Sequence, residues 1–167
     1  MNKALFLDRD GVINIDHGHV YKIEEFAFIE GIFELTKRYQ NLGYKIIIIT
    51  NQAGIAKGYY QREDFLTLMD WMINEFTQKG IHIDDYYFEE SLEENHYRRK
   101  PNPGMFLEAI NKHQIDPTES IMIGDKMSDL IAAHKANVKH LYFLKGRYEE
   151  KRVDFNYQTI YHLNEIK

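Results

Sequence analysis

An α/β fold, with a parallel sheet held between two layers of helices, is predicted by two observations on this sequence. Short apolar, β-branched runs alternate with longer stretches whose apolar residues recur at helical spacing. Three of those runs end in polar residues suited to binding: Asp8 after "ALFL", Thr50 and Asn51 after "YKIIII", and Asp125 after "SIMIG". Right-handed crossovers place all strand C-termini of such a sheet on one edge, where ligands bind. That edge gathers Asp8, Asp10, Thr50, Asn51 and Asp125.

Ala4–Leu7 and Tyr44–Thr50 read as buried strands, the second bounded by Gly43 and Asn51. Ser120–Asp125 and Lys139–Leu144 supply a third and a fourth, and Asp84–Glu90 a weaker fifth. Between them, Ile32, Leu35, Tyr39 and Leu42 share one helical face that stops at Gly43. Phe65, Leu68, Met69, Met72 and Phe76 define a longer helix ended by Gly80; with Trp71 they read as core or interface. Pro103 suits the first turn of a helix carrying Phe106, Leu107 and Ile110, and Ser128–Ala136 makes a short fourth. The tail from Gly146 to Lys167, polar and aromatic, reads as a packed extension of unassigned shape.

The 167 residues suffice for one domain, 1–167, with a real core. A net charge of −5 weighs against nucleic acid as a partner. The absence of cysteine excludes disulfides and thiolate metal sites. Asp8, Arg9 and Asp10 interrupt the N-terminal apolar run too early for a signal peptide, and no segment is long enough to span a membrane. A cytoplasmic protein, monomeric or weakly oligomeric, is expected.

In "DRDG" an extended backbone puts Asp8 and Asp10 on one side and Arg9 on the other, while Gly11 permits a sharp turn and close approach to a ligand. Two adjacent carboxylates repel, and a cation or a shared proton relieves them. Mg²⁺ suits oxygen ligands of this type. Thr50 and Asn51 offer a hydroxyl and backbone N–H groups for phosphate oxygens. In "RRKPNPG" Pro101 keeps Lys100 out of helix, where with Arg99 it can neutralise a phosphoryl group. In "GDKMSD" Asp125 is a metal-ligand candidate and Lys126 a phosphate contact. Asp129 reads as a support that caps the helix, orients Lys126 or joins the outer shell of a metal.

Acid pair, Thr, Lys and acid, in that order and on successive elements, resemble the four motifs of the haloacid dehalogenase-like (HAD) superfamily over Lys3–Leu144. "FLDRDGVIN", "TNQAGIAKG", "RKPNPGM" and "GDKMSDL" are similar to its histidinol-phosphatase and heptose-bisphosphate-phosphatase branch, with "DHGHVYKIEEFAFIEG" and "LTLMDWM" favouring the latter. The resemblance implies a three-layer Rossmannoid sheet and a Mg²⁺-dependent sugar-phosphate phosphatase, with heptose 1,7-bisphosphate converted to the 1-phosphate. It implies that Asp8 attacks phosphorus to form an aspartyl-phosphate, and that Asp10 acts as general acid and then base. Asp8, the Asp10 carbonyl and Asp125 would hold the metal, while Thr50 and Lys100 hold the phosphoryl oxygens. The spans Gly11–Gly31 and Thr50–Asp64 are too short for a cap domain. Substrate contacts then fall to Asp16, His17, Gly18 and His19, to Thr50, Asn51, Gln52 and Ala53, and to Arg99, Lys100 and Lys126. For a second phosphate Arg99 is the first candidate and Lys57 a weaker one.

His17 and His19 lack partners for a zinc site. Relatives carry a structural zinc loop before the Arg-Lys-Pro. Here Phe88, Glu90, His96 and Arg98 stand near the ligand positions, so structural zinc is predicted absent. Three rival readings remain. Histidinol-phosphate phosphatase is kept alive by Asp16 as an acidic partner for an amine. A nucleic-acid 3′-phosphatase is disfavoured by charge, and a catalytically silent phosphosugar-binding or assembly partner by the presence of both Asp8 and Asp10.

Overall fold

Isoleucines 46 to 49 run unbroken through the second strand, and the pleat sends them alternately to two faces. The computed structural model describes residues 1–167. β1 (Lys3–Leu7), β2 (Tyr44–Asn51), β3 (Asp85–Glu89), β4 (Ile121–Gly124), β5 (His140–Leu144) and β6 (Gln158–Ile160) form one parallel sheet in the order β3-β2-β1-β4-β5-β6. Leu5, Leu7, Ile46 and Ile48 face α1 (Ile32–Asn41) and α2 (Arg62–Gln78). Ala4, Phe6, Ile47 and Ile49 face α3 (Gly104–His113) and α4 (Met127–Lys135). A sheet coated on both sides explains why its central strands are apolar at every position rather than at alternate ones.

The order reverses at β1, which lies between β2 and β4, with Leu7 in register with both Ile48 and Ile123. At such a switch point the neighbouring crossovers leave on opposite faces and open a crevice at the strands' C-terminal ends. The span from β1 to α1 holds a single 3-10 turn, Ile23–Glu25, and that from β2 to α2 holds none, so no cap domain is inserted. No helix is long and apolar enough to cross a membrane.

Most expected elements form where the pattern places them. Pro103 occupies the N-cap of α3 instead of its first turn. The tail supplies what sequence left unassigned. Gln158–Ile160 adds β6 to the edge beside β5, and a 3-10 turn at Leu163–Glu165 follows. Ile160, Leu163 and Ile166 are buried in the α1–α2 layer, and Arg38 of α1 donates to the Ile166 carbonyl. Three residues are too few to show a period, so β6 exists because an edge recruits it. Leu163→Ala is expected to cost about 2–5 kcal/mol in urea unfolding; a loss within error of zero would show that the tail is not part of the core.

Candidate active site

The chain leaves β1 at Leu7 and turns at Gly11, whose φ of +92° an L side chain rarely adopts. Asp8 is buried, and its Oδ1 accepts the Arg9 N–H at 2.9 Å and Lys100 Nζ at 3.1 Å. Arg9 does not point away from both acids as expected: the turn at Gly11 brings Asp10 round to its guanidinium. Fully buried between the Phe26 and Phe65 rings, it donates from Nη2 to Asp10 Oδ1 and to the Val20 carbonyl, each at 2.7 Å. A guanidinium taken out of water requires a counter-ion, and Asp10 is the acid within reach. Asn14 Nδ2 also donates to Asp10 Oδ1, and Gln52 Nε2 to Asp10 Oδ2, both at 3.0 Å. Burial alone would raise the Asp10 pKa; the charge and hydrogen bonds of Arg9, with Asn14 and Gln52, bring it below the usual carboxylate value.

Gln52 Nε2 also donates to Thr50 Oγ1 at 3.0 Å, while its Oε1 accepts from Tyr60, whose ring stacks on Tyr21. Gln52 therefore joins Asp10 to Thr50 from below and is buried, a positioning role where direct substrate contact was expected. Asn51 takes a similar part. Its side chain and the Lys100 backbone exchange two hydrogen bonds of 3.1 Å, locking the end of β2 to the loop that carries Lys100.

Lys100 is 3% exposed. Its Nζ donates to the Ile49 carbonyl at 2.7 Å and forms ion pairs with Asp129 at 2.7 Å and Asp8 at 3.1 Å. Burial opposes its charge, but Asp129 and Asp8 more than compensate and raise its pKa. Asp129 Oδ2 accepts the N–H groups of Asp125 and Lys126 at 3.1 Å, capping α4 as expected. The lysine it orients is Lys100, not Lys126.

Asp8, Asp125 and Asp129 form the one group of three side chains able to hold a metal. Burial first, then Asp8 and Asp129, push the Asp125 carboxyl up to about 10, and burial and Asp129 raise Asp8 to about 6. Asp125 Oδ1 is buried without a hydrogen-bond partner. A Cβ on Gly11 would sit 1.9 Å from Asp125 Oδ2, so only glycine lets the turn pass this carboxylate. An orphaned oxygen amid surplus negative charge fits a hard divalent cation. Asp129 is committed to Lys100 and to two N–H groups, which leaves Asp8 and Asp125 as the carboxylate donors.

A cavity of about 530 Å³ opens over these groups, lined by Asp8, Asp10, Asn51, Glu94, Arg99, Lys100, Pro101, Lys126, Ser128 and Asp129. Lys57 is exposed and does not line it. Neither do His17, Gly18, His19, Gln52 or Ala53, and Thr50, 1% exposed, is also absent from its lining. His17 faces the Glu25 carbonyl, Gly18 donates to Asp16, and His19 lies against the Tyr59 ring. Asp16 borders a smaller neighbouring pocket of about 240 Å³ that reaches Gly11 and Asp125. Glu94 and Ser128 were not singled out in the sequence: Glu94 lies in an unpatterned loop, and Ser128, although inside "GDKMSD", stands among the charged residues that draw the assignment.

The loop delivering Lys100 is closed by Arg98. Its Nε donates to Glu108 at 2.8 Å, and its Nη1 to the Phe88 carbonyl at 2.8 Å and to Glu89 at 3.1 Å. Glu89 also accepts from the Ser91 N–H at 2.9 Å, and His96 Nδ1 accepts the Arg98 N–H at 3.1 Å. Arg99 Nη1 donates to the Ser91 carbonyl at 2.6 Å, which turns that guanidinium into the cavity wall.

A family model described as HAD-hydrolase-like matches residues 97–166. The chain is 50% identical over 141 residues to D-glycero-beta-D-manno-heptose-1,7-bisphosphate 7-phosphatase of Helicobacter pylori, covering 83% of this chain and 82% of that protein. It is 46% identical over 164 residues to the corresponding alpha-anomer 7-phosphatase of Campylobacter jejuni, covering 98% and 93%. Among solved structures, a putative HAD-like phosphatase from Mesorhizobium loti superposes with a TM-score of 0.83 at 27% identity, covering 98% and 82%. The D,D-heptose 1,7-bisphosphate phosphatase from B. bronchiseptica, complexed with magnesium and phosphate, gives 0.78 at 26% identity, covering 85% and 80%.

Two outcomes follow from these charges. Folded Asp8 keeps a proton that the unfolded chain releases, so metal-free stability declines as pH rises from 3.8 to about 6, and Asp125 extends the decline toward about 10. Mg²⁺ should raise Tm more at pH 7.5 than at pH 5; equal shifts at both would contradict the carboxylate cluster as its seat. Arg98→Ala should cost about 1–3 kcal/mol and lower turnover, with no recovery in Arg98→Lys, since one ammonium cannot serve three spread acceptors.

Proposed function

The chain belongs to the D-glycero-manno-heptose-1,7-bisphosphate 7-phosphatases of the HAD-like hydrolases, and from that premise we propose how its residues remove the 7-phosphate from this sugar. The observation that carries the proposal is Lys100 Nζ, held 3.1 Å from Asp8 and 2.7 Å from Asp129 at the floor of the cavity.

Asp8 is the nucleophile. Lys100 and the Arg9 N–H fix its carboxylate, and a pKa of about 6 leaves it ionised at neutral pH yet more basic than an ordinary carboxylate. An incoming phosphoryl group takes over Lys100, which slackens its hold on Asp8 and pairs with the oxygens in transfer. The Thr50 hydroxyl, fixed by Gln52, supplies a further donor. Mg²⁺ held by the Asp8 and Asp125 carboxylates and the Asp10 carbonyl would offset the phosphate's negative charge and polarise its oxygens.

Asp10 handles the proton. In the substrate-free site Arg9 keeps it ionised, the form required to deprotonate the water that hydrolyses the aspartyl-phosphate. A phosphate dianion brought beside it raises its pKa, so the substrate itself promotes the protonated form that donates to the leaving sugar oxygen. Arg99, on the cavity wall beside Lys100, meets the phosphate that is retained.

The histidinol-phosphate reading is weakened, because the Asp16 charge is already matched by Arg147 and its carboxylate also accepts from Gly18 and Tyr148. A silent binding partner would have no use for the assembled Asp8, Asp10, Thr50, Lys100 and Asp125. The proposal places the activity in one domain, 1–167, cytoplasmic, monomeric or weakly oligomeric, free of structural zinc and of nucleic-acid partners.

Asp8→Asn should cut phosphate release by at least about a thousandfold while Tm holds or rises. The wild type, assayed with Mg²⁺ against both anomers of the heptose bisphosphate, histidinol phosphate and other sugar phosphates, should prefer the heptose substrate. Comparable slow rates on all of them would refute a dedicated heptose enzyme.

A further inference from the structure

The chain beyond β5 turns back over the site. Tyr148 Oη donates to Asp16 Oδ2 at 3.1 Å, and Arg147 Nη1 donates to the carbonyl and to Oδ1 of Asp16, both at 3.3 Å. Their hold leaves the Asp16 side chain 9% exposed in an otherwise exposed loop. On its other side, the Tyr148 ring lies 4.5 Å from Lys126 Nζ, and Lys126 lines the cavity above Asp8. One aromatic ring thus joins the loop after β1 to the lysine after β4.

We propose that Tyr148, supported by Arg147, is a positioning residue that sets affinity for the part of the substrate remote from the scissile phosphate. Lys126 has a flexible stem and shares the cavity lining with the acids Asp8 and Asp129. Left free, its ammonium would fold down onto those acids and compete with the groups that belong there. The face of a phenol ring attracts an ammonium without neutralising it. Held by the ring, Lys126 stays at the cavity mouth with its charge available to an anionic substrate. The Tyr148 hydroxyl meanwhile fixes Asp16, which keeps the "DHGH" turn clear of the mouth. The C-terminal tail reaches the border of the site: Arg147 lines the neighbouring pocket with Asp16 and Asp125, and Tyr148 lies against Lys126.

The inference rests on the heptose bisphosphate reading, and the test separates the two. Wild type, Tyr148→Phe, Tyr148→Ala and Lys126→Ala would be compared on heptose 1,7-bisphosphate and on p-nitrophenyl phosphate, which has no distal phosphate. Tyr148→Ala should lower the ratio of kcat/KM for the bisphosphate to that for the aryl phosphate by about 3- to 30-fold, mainly through KM. Tyr148→Phe keeps the ring and should lose less. In the Lys126→Ala background, Tyr148→Ala should have little further effect on the ratio. Equal losses on both substrates, or full additivity with Lys126→Ala, would overturn the proposal in favour of a purely structural role. A wild type that turns over the aryl phosphate but not the bisphosphate would instead overturn the substrate reading.

Discussion

Everything at the site is arranged around one buried ammonium. Lys100 Nζ sits among three buried carboxylates, bonded to Asp8 and Asp129 and close to Asp125 through their shared cluster. Removing such charges from water costs several kcal/mol per ion, and only close pairing recovers it. One lysine against three acids leaves an excess of negative charge. The protein relieves part of that excess by protonation of Asp125, whose carboxyl is pushed up to about 10, and the rest makes the site receptive to a cation.

The surrounding fold serves that placement. Asn51 ties the Lys100 backbone to the end of β2, Asp129 joins its side chain to the start of α4, and the sheet order brings both elements beside β1. Arg9 plays the matching part for Asp10 from underneath, where Phe26 and Phe65 keep it dry. Asp8 and Asp10 sit two residues apart yet have separate electrostatic surroundings, one of them shared with acids and the other with a guanidinium. That separation gives two carboxylates on one turn opposite shifts in pKa.

The sheet, its four helices and the acids at the strand ends were legible because each is a local signal: a run, a period, a terminal residue. Pairings across the fold were not. Nothing near Asp129 in the chain says that its partner is Lys100, and nothing near Gln52 says that it bridges Thr50 to Asp10. Strand geometry put Asp8 and Asp10 on one side and Arg9 on the other, but the structure pairs Arg9 with Asp10. The reversal at Gly11 that lets Asp10 meet it is a tertiary event. β6 and Tyr148 escaped for a further reason: three residues carry no period, and a tyrosine in a polar tail is distinguished only by what it lands on.

The Arg98 cluster changes what the active-site loop is vulnerable to. A loop stapled by thiolates can be opened by oxidants and by thiol-seeking heavy metals. A guanidinium shared among Glu89, Glu108 and a carbonyl offers such reagents no sulfur to attack, and the chain has none elsewhere as cysteine. Its weakness lies in acid and high salt, which protonate or screen the carboxylates that hold it. The loop has exchanged a redox liability for an ionic one.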